Sequence, residues 1–296
     1  MRINRVFAAM LLAAATAMTV ACTDKPYNPS DGTKAHVVRI WRTDAEKIEN
    51  YTAATDTWTT VLNDSTDRKL YVEFFYTGDR IDSMMVNSQP HATIVHFTYN
   101  ADGHLTHSES NWGIGCNYYY TDGRLSRAYE YSFSDGDTTS RHNIFYTWDG
   151  NRLQRYEDNL TGHSDSAEIS KRLTHLFTWN GDNVASTVCY TTDNIDNTTD
   201  TLAYNYEYSS IVNPFRGFPF WLLPNCGVIW QIEGVDALCK NIPSHIFSDV
   251  SDFTFENTTS NGRIATITER QLSESGNAAM VIRITTKSYY EIEYNR

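Results

Sequence analysis

The sequence predicts an all-β protein, an antiparallel meander of hairpins curled into a barrel or half-barrel, with an irregular apolar insert at about residues 213–246. Two observations carry that prediction. A strand–turn–strand phrase recurs at Phe75 to Ile81, Phe97 to Leu105, Tyr118 to Leu125, Phe145 to Leu153 and Phe177 to Val184, with a looser copy from Phe253 to Ile264. Most copies place aromatics at alternate positions, then Asp, Asn and Gly, then an aliphatic residue, which is the pattern of a half-buried hairpin. The turn glycines Gly78, Gly103, Gly123, Gly150 and Gly181 are spaced by 25, 20, 27 and 31 residues, enough for two strands and a return loop each. Curling follows from the edges, because a long open meander leaves unpaired strand edges that closure removes.

The chain divides into residues 1–21, 22–35 and 36–296. The first segment reads as a secretory signal peptide, with Arg2 and Arg5 ahead of an uncharged apolar run, Val6 to Val20, too short to span a bilayer. Thr19-Val20-Ala21 leads into Cys22 in the manner of a bacterial lipobox, so Cys22 is the expected lipidation site. Residues 22–35, with Pro26, Pro29 and Gly32, read as a tether between membrane and domain. The expected location is therefore the outer membrane, on its periplasmic or surface face, with lipid as the only hold.

Residues 36–296 are expected to form a single β-meander domain. Lys69 to Tyr76, Thr93 to Tyr99, Tyr129 to Phe133 and Tyr204 to Tyr208 alternate polar and apolar residues. Asp102-Gly103 and Asp122-Gly123 predict type I′ turns; Asp149-Gly150-Asn151 and Asn180-Gly181-Asp182 predict slightly longer ones. Polar return loops are expected at Ser134 to Thr139 and Asp193 to Asp200, and such loops are where a binding function would lie. Asn213 to Pro224 is the most apolar stretch and its prolines forbid a regular central strand, so the insert is read as a plug, with an exposed partner-binding patch as the alternative. Val235 to Lys240 suits one or two helical turns. Of the cysteines, Cys226 and Cys239 bracket one short segment and are the expected disulfide; Cys116 and Cys189 lie in strand-like runs and read as buried thiols.

The chain has 24 basic and 36 acidic residues. Loss of the signal leaves 22 against 36, a net charge of −14. That argues against nucleic acid and anionic lipid as partners. No phosphate loop, nucleophile elbow, zincin motif or cysteine pair of metal spacing occurs. Neither a cofactor nor a metal is expected, and the histidines read as surface and turn residues. Glu73, Glu109, Glu130 and Glu207 are the carboxylates a glycosidase-like site would use, but cross-strand pairing or exposure is the preferred account. Trp148 and Trp179 fall in the same slot of two repeats and are read as packing. Trp112, in a loop-like context, and Trp221, in the insert, are the candidate ligand contacts.

The aromatic–x–aromatic phrase followed by an Asp/Asn-Gly turn resembles the YD-type repeats of Rhs-like proteins. The whole layout resembles more closely a group of Bacteroidetes lipoproteins of unknown function with a porin-like β fold. Asn213-Pro214-Phe215 and Lys240-Asn241-Ile242-Pro243 match that group's two phrases before the final strands, and the likeness covers about residues 36–296. It implies a barrel and an envelope location, and no reaction. The lineage it suggests also points to O-glycosylation at short acidic-hydroxyl triplets such as Asp64-Ser65-Thr66. The expected function is non-catalytic binding of a glycan, a peptide, an apolar ligand or a partner protein. A structural or accessory subunit of an envelope complex is the alternative, and an enzyme acting on polysaccharide ranks third.

Overall fold

The computed structural model describes residues 36–52, 55–88, 91–134, 137–161, 169–217, 238–249, 251–277 and 280–295. Seventeen strands follow one another: β1 Val37–Thr52, β2 Thr57–Ser65, β3 Lys69–Thr77, β4 Arg80–Ser88, β5 His91–Tyr99, β6 Leu105–Ser110, β7 Ile114–Thr121, β8 Arg124–Ser134, β9 Asp137–Asp149, β10 Arg152–Thr161, β11 Ile169–Asn180, β12 Asn183–Asp193, β13 Thr198–Val212, β14 Asn241–Phe247, β15 Asp252–Ser260, β16 Arg263–Asn277 and β17 Met280–Tyr294. Each pairs antiparallel with its successor, except that β2 and β3 lie end to end along β1. Closure comes from β1 and β17, paired from Val37↔Tyr294 to Thr52↔Met280. With β2 and β3 sharing one position, the wall is a closed barrel of sixteen strands.

One end holds the tight turns and both ends of the domain. Asp122 and Gly123 both take positive φ, as do Asn261 and Gly262, which gives two type I′ turns. The Asp102-Gly103 expectation is corrected. Only Gly103 has positive φ there; Asn100 pairs with His104, and the turn closes over three residues because the Asn100 side chain accepts the His104 N–H. The turns at Gly150 and Gly181 span two residues, shorter than expected. The loops expected at 134–139 and 193–200 are narrower than expected: Ser134 pairs with Asp137, and Asp193 pairs with Thr198 across a turn at 194–197. In the unexpected strand β2, every residue but Trp58 is exposed, so it lacks the alternation that reveals a strand in sequence.

The repeated phrase has a structural meaning. Beside the tight turn of each of five hairpins a one-residue bulge sets an aromatic opposite an aliphatic residue: Tyr76↔Ile81, Tyr99↔Leu105, Tyr120↔Leu125, Trp148↔Leu153 and Trp179↔Val184. Each aromatic then reaches the backbone one step back along the barrel. Tyr76 donates to the Val37 carbonyl at 2.7 Å, Tyr99 to Ile81 at 3.0 Å, Trp148 to Leu125 at 2.7 Å and Trp179 to Leu153 at 2.8 Å. In the fifth hairpin Tyr120 also hydrogen-bonds the Leu105 backbone. The ring covers apolar surface while its polar tip satisfies a carbonyl that would otherwise be left dry, which is why the slot takes Tyr or Trp and not Phe.

A round sixteen-strand barrel would enclose a water channel. Here Ile40, Val72, Met84, Ala128, Ile144, Val184, Ile242 and Ile267 have no exposed surface and belong to one apolar core drawn from nearly all strands. The interior is therefore filled towards the tight-turn end. The described flanks of the insert join this core: Phe215 is buried, its N–H held by Asn213 Oδ1, and Cys239 is buried beside Val184 and Tyr208. The insert's described flanks thus add to the core at that end. Residues 218–237 lie outside the described residues, and with them Trp221, Cys226 and the expected Cys226–Cys239 link; of the expected helical turn only its end is described, where Leu238 is helical.

Outward positions carry charge. Arg39 bonds Glu73 at 2.7 Å and Glu293 at 3.2 Å, Arg68 bonds Glu291 at 2.9 Å, Lys47 meets Glu49 at 2.6 Å, and Arg155 and Arg172 flank Glu157. On a lipid-facing wall each Arg or Lys near mid-bilayer would cost about 2–4 kcal/mol. These strands carry charge outward where a porin carries apolar residues, and Phe75, Tyr119, Phe145, Leu176 and Tyr190 are exposed on other strands.

Candidate functional site

Above the apolar layer of Ile40, Ile267 and Ile292 the interior opens into a cavity of about 570 Å³. It lies between the middle of β1, the β2–β3 junction, and β15, β16 and β17. Register brings its polar groups together. Asp44 pairs with Ser288 on β17, and Ser288 with Glu269 on β16, so three side chains form an inward row. Arg42 pairs with Tyr290 in the next row, and the bulge between Ile40 and Trp41 adds Tyr71 from β3.

These groups are tied to one another. The Arg42 guanidinium donates to Asp44 Oδ1 at 2.6 Å and to Ser288 Oγ at 3.3 Å, and Ser288 Oγ donates to the same Asp44 oxygen at 2.6 Å. Arg42 stands 5.0 Å from the Tyr71 ring centre and 5.6 Å from that of Tyr290. Burial works against the Arg42 cation, but Tyr290, Asp44 and Tyr71 outweigh it and raise its pKa above the ordinary value. Burial also pushes the Glu269 carboxyl up to about 7, Arg42 and the Tyr290 hydroxyl opposing the shift and Asp44 adding to it. The rim is held where β2 gives way to β3: Thr66 N–H donates to the Asp44 carbonyl at 2.8 Å, and Asp44 N–H to Thr66 Oγ1 at 3.0 Å. Phe253 and Phe255 form the far wall.

A second polar group lies inside the barrel. His142 Nδ1 is 2.8 Å from Asp158 and its Nε2 is 3.9 Å from Glu130. Glu130 and Asp158 are buried. Burial lifts Glu130 to about 7, His142 opposing and Asp158 adding. Burial disfavours the His142 cation, yet the Asp158 hydrogen bond and the charges of Asp158 and Glu130 raise its pKa overall. The cluster joins one histidine to two buried carboxylates.

The residues singled out in the sequence fall elsewhere. Trp112 lies half exposed on the β6–β7 turn, its indole N–H bonded to Thr93 Oγ1 at 3.1 Å, far in sequence and strand order from the cavity. Glu73 pairs with Arg39, Glu109 and Glu207 are exposed, and only Glu130 is buried. His104 stacks on Tyr120, His107 bonds Asn117 and His245 bonds Asp252. Cys116 and Cys189 are buried, unlinked thiols, and burial lifts Cys116 to about 12. Arg42, Asp44 and Glu269 escape a reading of the sequence because each sits in a long strand as one charged residue among several. Only the register of β1, β16 and β17 shows which of them turn inward.

No family model matches the chain, and no curated protein matches it. Among solved structures it is similar to a porin-like protein from Bacteroides vulgatus, with a TM-score of 0.46 and 10% identity, covering 88% of this chain and 99% of that one. That distance is too great to carry the neighbour's properties over, and the barrel stands on its own strand pairing.

Proposed function

We propose that the protein is a non-catalytic binding protein of the bacterial envelope, anchored through lipid at Cys22, that holds a small polar ligand in the cavity between β1 and β15–β17. The observation that supports this best is the cavity itself: about 570 Å³, walled by Phe253, Phe255, Tyr71 and Tyr290, with a few fixed polar groups converging on it. Concave sites with an aromatic wall and a small set of placed hydrogen-bonding groups are the usual form of a ligand site. Arg42 and Asp44 are already oriented by each other and by Ser288, so little ordering remains to oppose binding. Of the classes considered, a glycan or a peptide side chain fits this lining better than an apolar ligand. The outward charges agree with a barrel held beside a membrane by its anchor rather than one spanning it.

Thermal-shift screening of neutral, cationic and anionic small molecules tests the reading, with Thr286→Trp as the variant that fills the mouth. At least one compound should raise the Tm of the wild type and leave the variant unmoved. Compounds that shift both equally, or none that shifts either, would contradict it.

A further inference from the structure

β2 leaves one side of the wall unfinished. It pairs with β1 from Ala45↔Ser65 to Thr52↔Thr57, and among the described residues no strand pairs with its other edge. β3 continues its lane towards the tight-turn end, and β4, in the next lane, ends at Ser88, close to the level where β3 starts. Alternate residues of β2 therefore turn their N–H and C=O groups away from β1 into a lane that no described strand fills. Such an edge is ordinarily blunted by lysine, proline or short length, because it invites another strand. β2 has nine residues and no lysine, arginine, proline or glycine. Its single bulge falls at Val61, between Glu49↔Thr60 and Ile48↔Leu62. Val61 and Leu62 are 56% and 38% exposed, side by side at the middle of the edge. Asp64 is the only charge on β2. Among the described residues its carboxylate accepts only the Ser65 N–H, and it pairs across β1 with another acid, Glu46.

We propose that the free edge of β2 is a docking site for a partner protein, which adds an extended segment to it as a further strand. The row of outward N–H and C=O groups dictates that form, since another extended backbone matches it at a strand spacing of about 4.8 Å. The middle of the edge selects the side chains, apolar and β-branched residues that cover Val61 and Leu62. The Asp64 end selects a basic residue opposite it. A second copy of the chain fits less well. Antiparallel pairing of two β2 edges brings one Asp64 to each end with no cation on either β2 to meet it, and each chain carries a net charge of −12. The added strand extends the wall above β4. It lies beside the cavity, and its docking does not depend on what the cavity holds.

Fluorescence anisotropy of the intact lipoprotein in detergent tests this with a dye-labelled, amidated heptapeptide, Lys-Thr-Val-Thr-Val-Thr-Lys. A lysine at each end offers a cation to Asp64 in either strand direction. This peptide should bind, and Glu-Thr-Val-Thr-Val-Thr-Glu should bind about tenfold more weakly or worse. Methylating alternate backbone nitrogens blocks one edge of the peptide or the other. One methylated set should lose binding and the other should keep it, because a strand pairs through one edge at a time. Val61→Lys should weaken the basic peptide by about tenfold and leave the Tm unchanged, since its side chain is exposed. Val61→Pro, at the one β2 position between the bulge pairs, is the second edge variant. Thr286→Trp should bind the peptide as the wild type does, so this proposal and the cavity reading fail separately. No binding of the basic peptide, equal behaviour of the two methylated sets, or full binding by both Val61 variants would overturn the proposal. Equal binding of the basic and acidic peptides would overturn the partner chemistry proposed. Self-association that Val61→Lys abolishes, without peptide binding, would give the edge to a second copy and overturn it as well.

Discussion

The Trp148 indole N–H donates to the Leu125 carbonyl oxygen at 2.7 Å, 23 residues back and one hairpin away. Three counterparts, Tyr76, Tyr99 and Trp179, make the same backward link. Together they form a chain of latches around the tight-turn end, each fastening a hairpin to the one before it. Trp148→Phe keeps most of the packing and leaves the Leu125 oxygen without its donor. The expected loss is about 1–2 kcal/mol of unfolding free energy, by urea denaturation. Trp179→Phe should behave alike, and Trp112→Phe, half exposed on a turn, should cost under about 0.5 kcal/mol.

The plug is tested at Phe215, which is buried and anchored at the tight-turn end with Asn213 beneath it. Phe215→Ala should lower stability by about 3–5 kcal/mol, the range for deleting a buried aromatic. Loss of under about 1 kcal/mol in urea melts would mean that the insert's flank lies against the barrel without closing it.

Stability should fall as pH rises through neutrality. Glu130 and Glu269 titrate near 7 in the folded protein against about 4.5 when unfolded. Their pKa is raised by folding, so their contribution is full below pH 4.5 and is lost as pH climbs through 7. His142, also raised, acts in the same direction, with its contribution lost above its folded pKa. A tenfold change in proton affinity corresponds to about 1.4 kcal/mol, so each carboxyl contributes roughly 3 kcal/mol that disappears between about pH 5 and 8.5. Urea midpoints across that range should decline for the wild type. Glu130→Gln and Glu269→Gln should flatten the profile and stabilise the protein at about pH 8.5, while His142→Gln, which leaves two buried carboxylates facing each other, should destabilise it.

The proposed anchor makes a separate prediction. Cys22→Ser should move the protein from the membrane fraction to the soluble periplasmic or extracellular fraction without detergent, because charged outward residues such as Arg39, Lys47 and Arg68 oppose insertion of the wall into lipid. Retention of the variant in washed membranes would mean that the wall itself or another segment binds the bilayer.

Much of this architecture is legible in the residues. The repeated phrase exposes the hairpins because aromatic alternation and Asp/Asn-Gly turns are local signals, and the shared slot of Trp148 and Trp179 correctly marks them as structural. Closure of β1 on β17 joins the two ends of the domain, where His36 meets Asn295 across 259 positions, and nothing local encodes it. β2 is hidden because both its faces meet water, leaving no alternation to read. Asp102-Gly103 misleads because the neighbouring Asn100 side chain, not the dipeptide, sets the turn. The cavity is invisible in sequence for a register reason: Asp44, Ser288 and Glu269 become neighbours only once three strands are aligned. Trp112 stands out as an exposed aromatic, whereas the aromatics that line the cavity, Phe253, Phe255, Tyr71 and Tyr290, look in sequence like any other strand residues.

The most direct test of the binding reading is the mass of the mature protein, purified from its own envelope and measured both native and denatured, beside Thr286→Trp prepared in the same way. The account predicts a non-covalent adduct on the wild type that denaturation removes and that the variant lacks, in addition to any covalent mass from lipid at Cys22. A bare native mass, or an adduct carried equally by Thr286→Trp, would contradict it and favour the structural role.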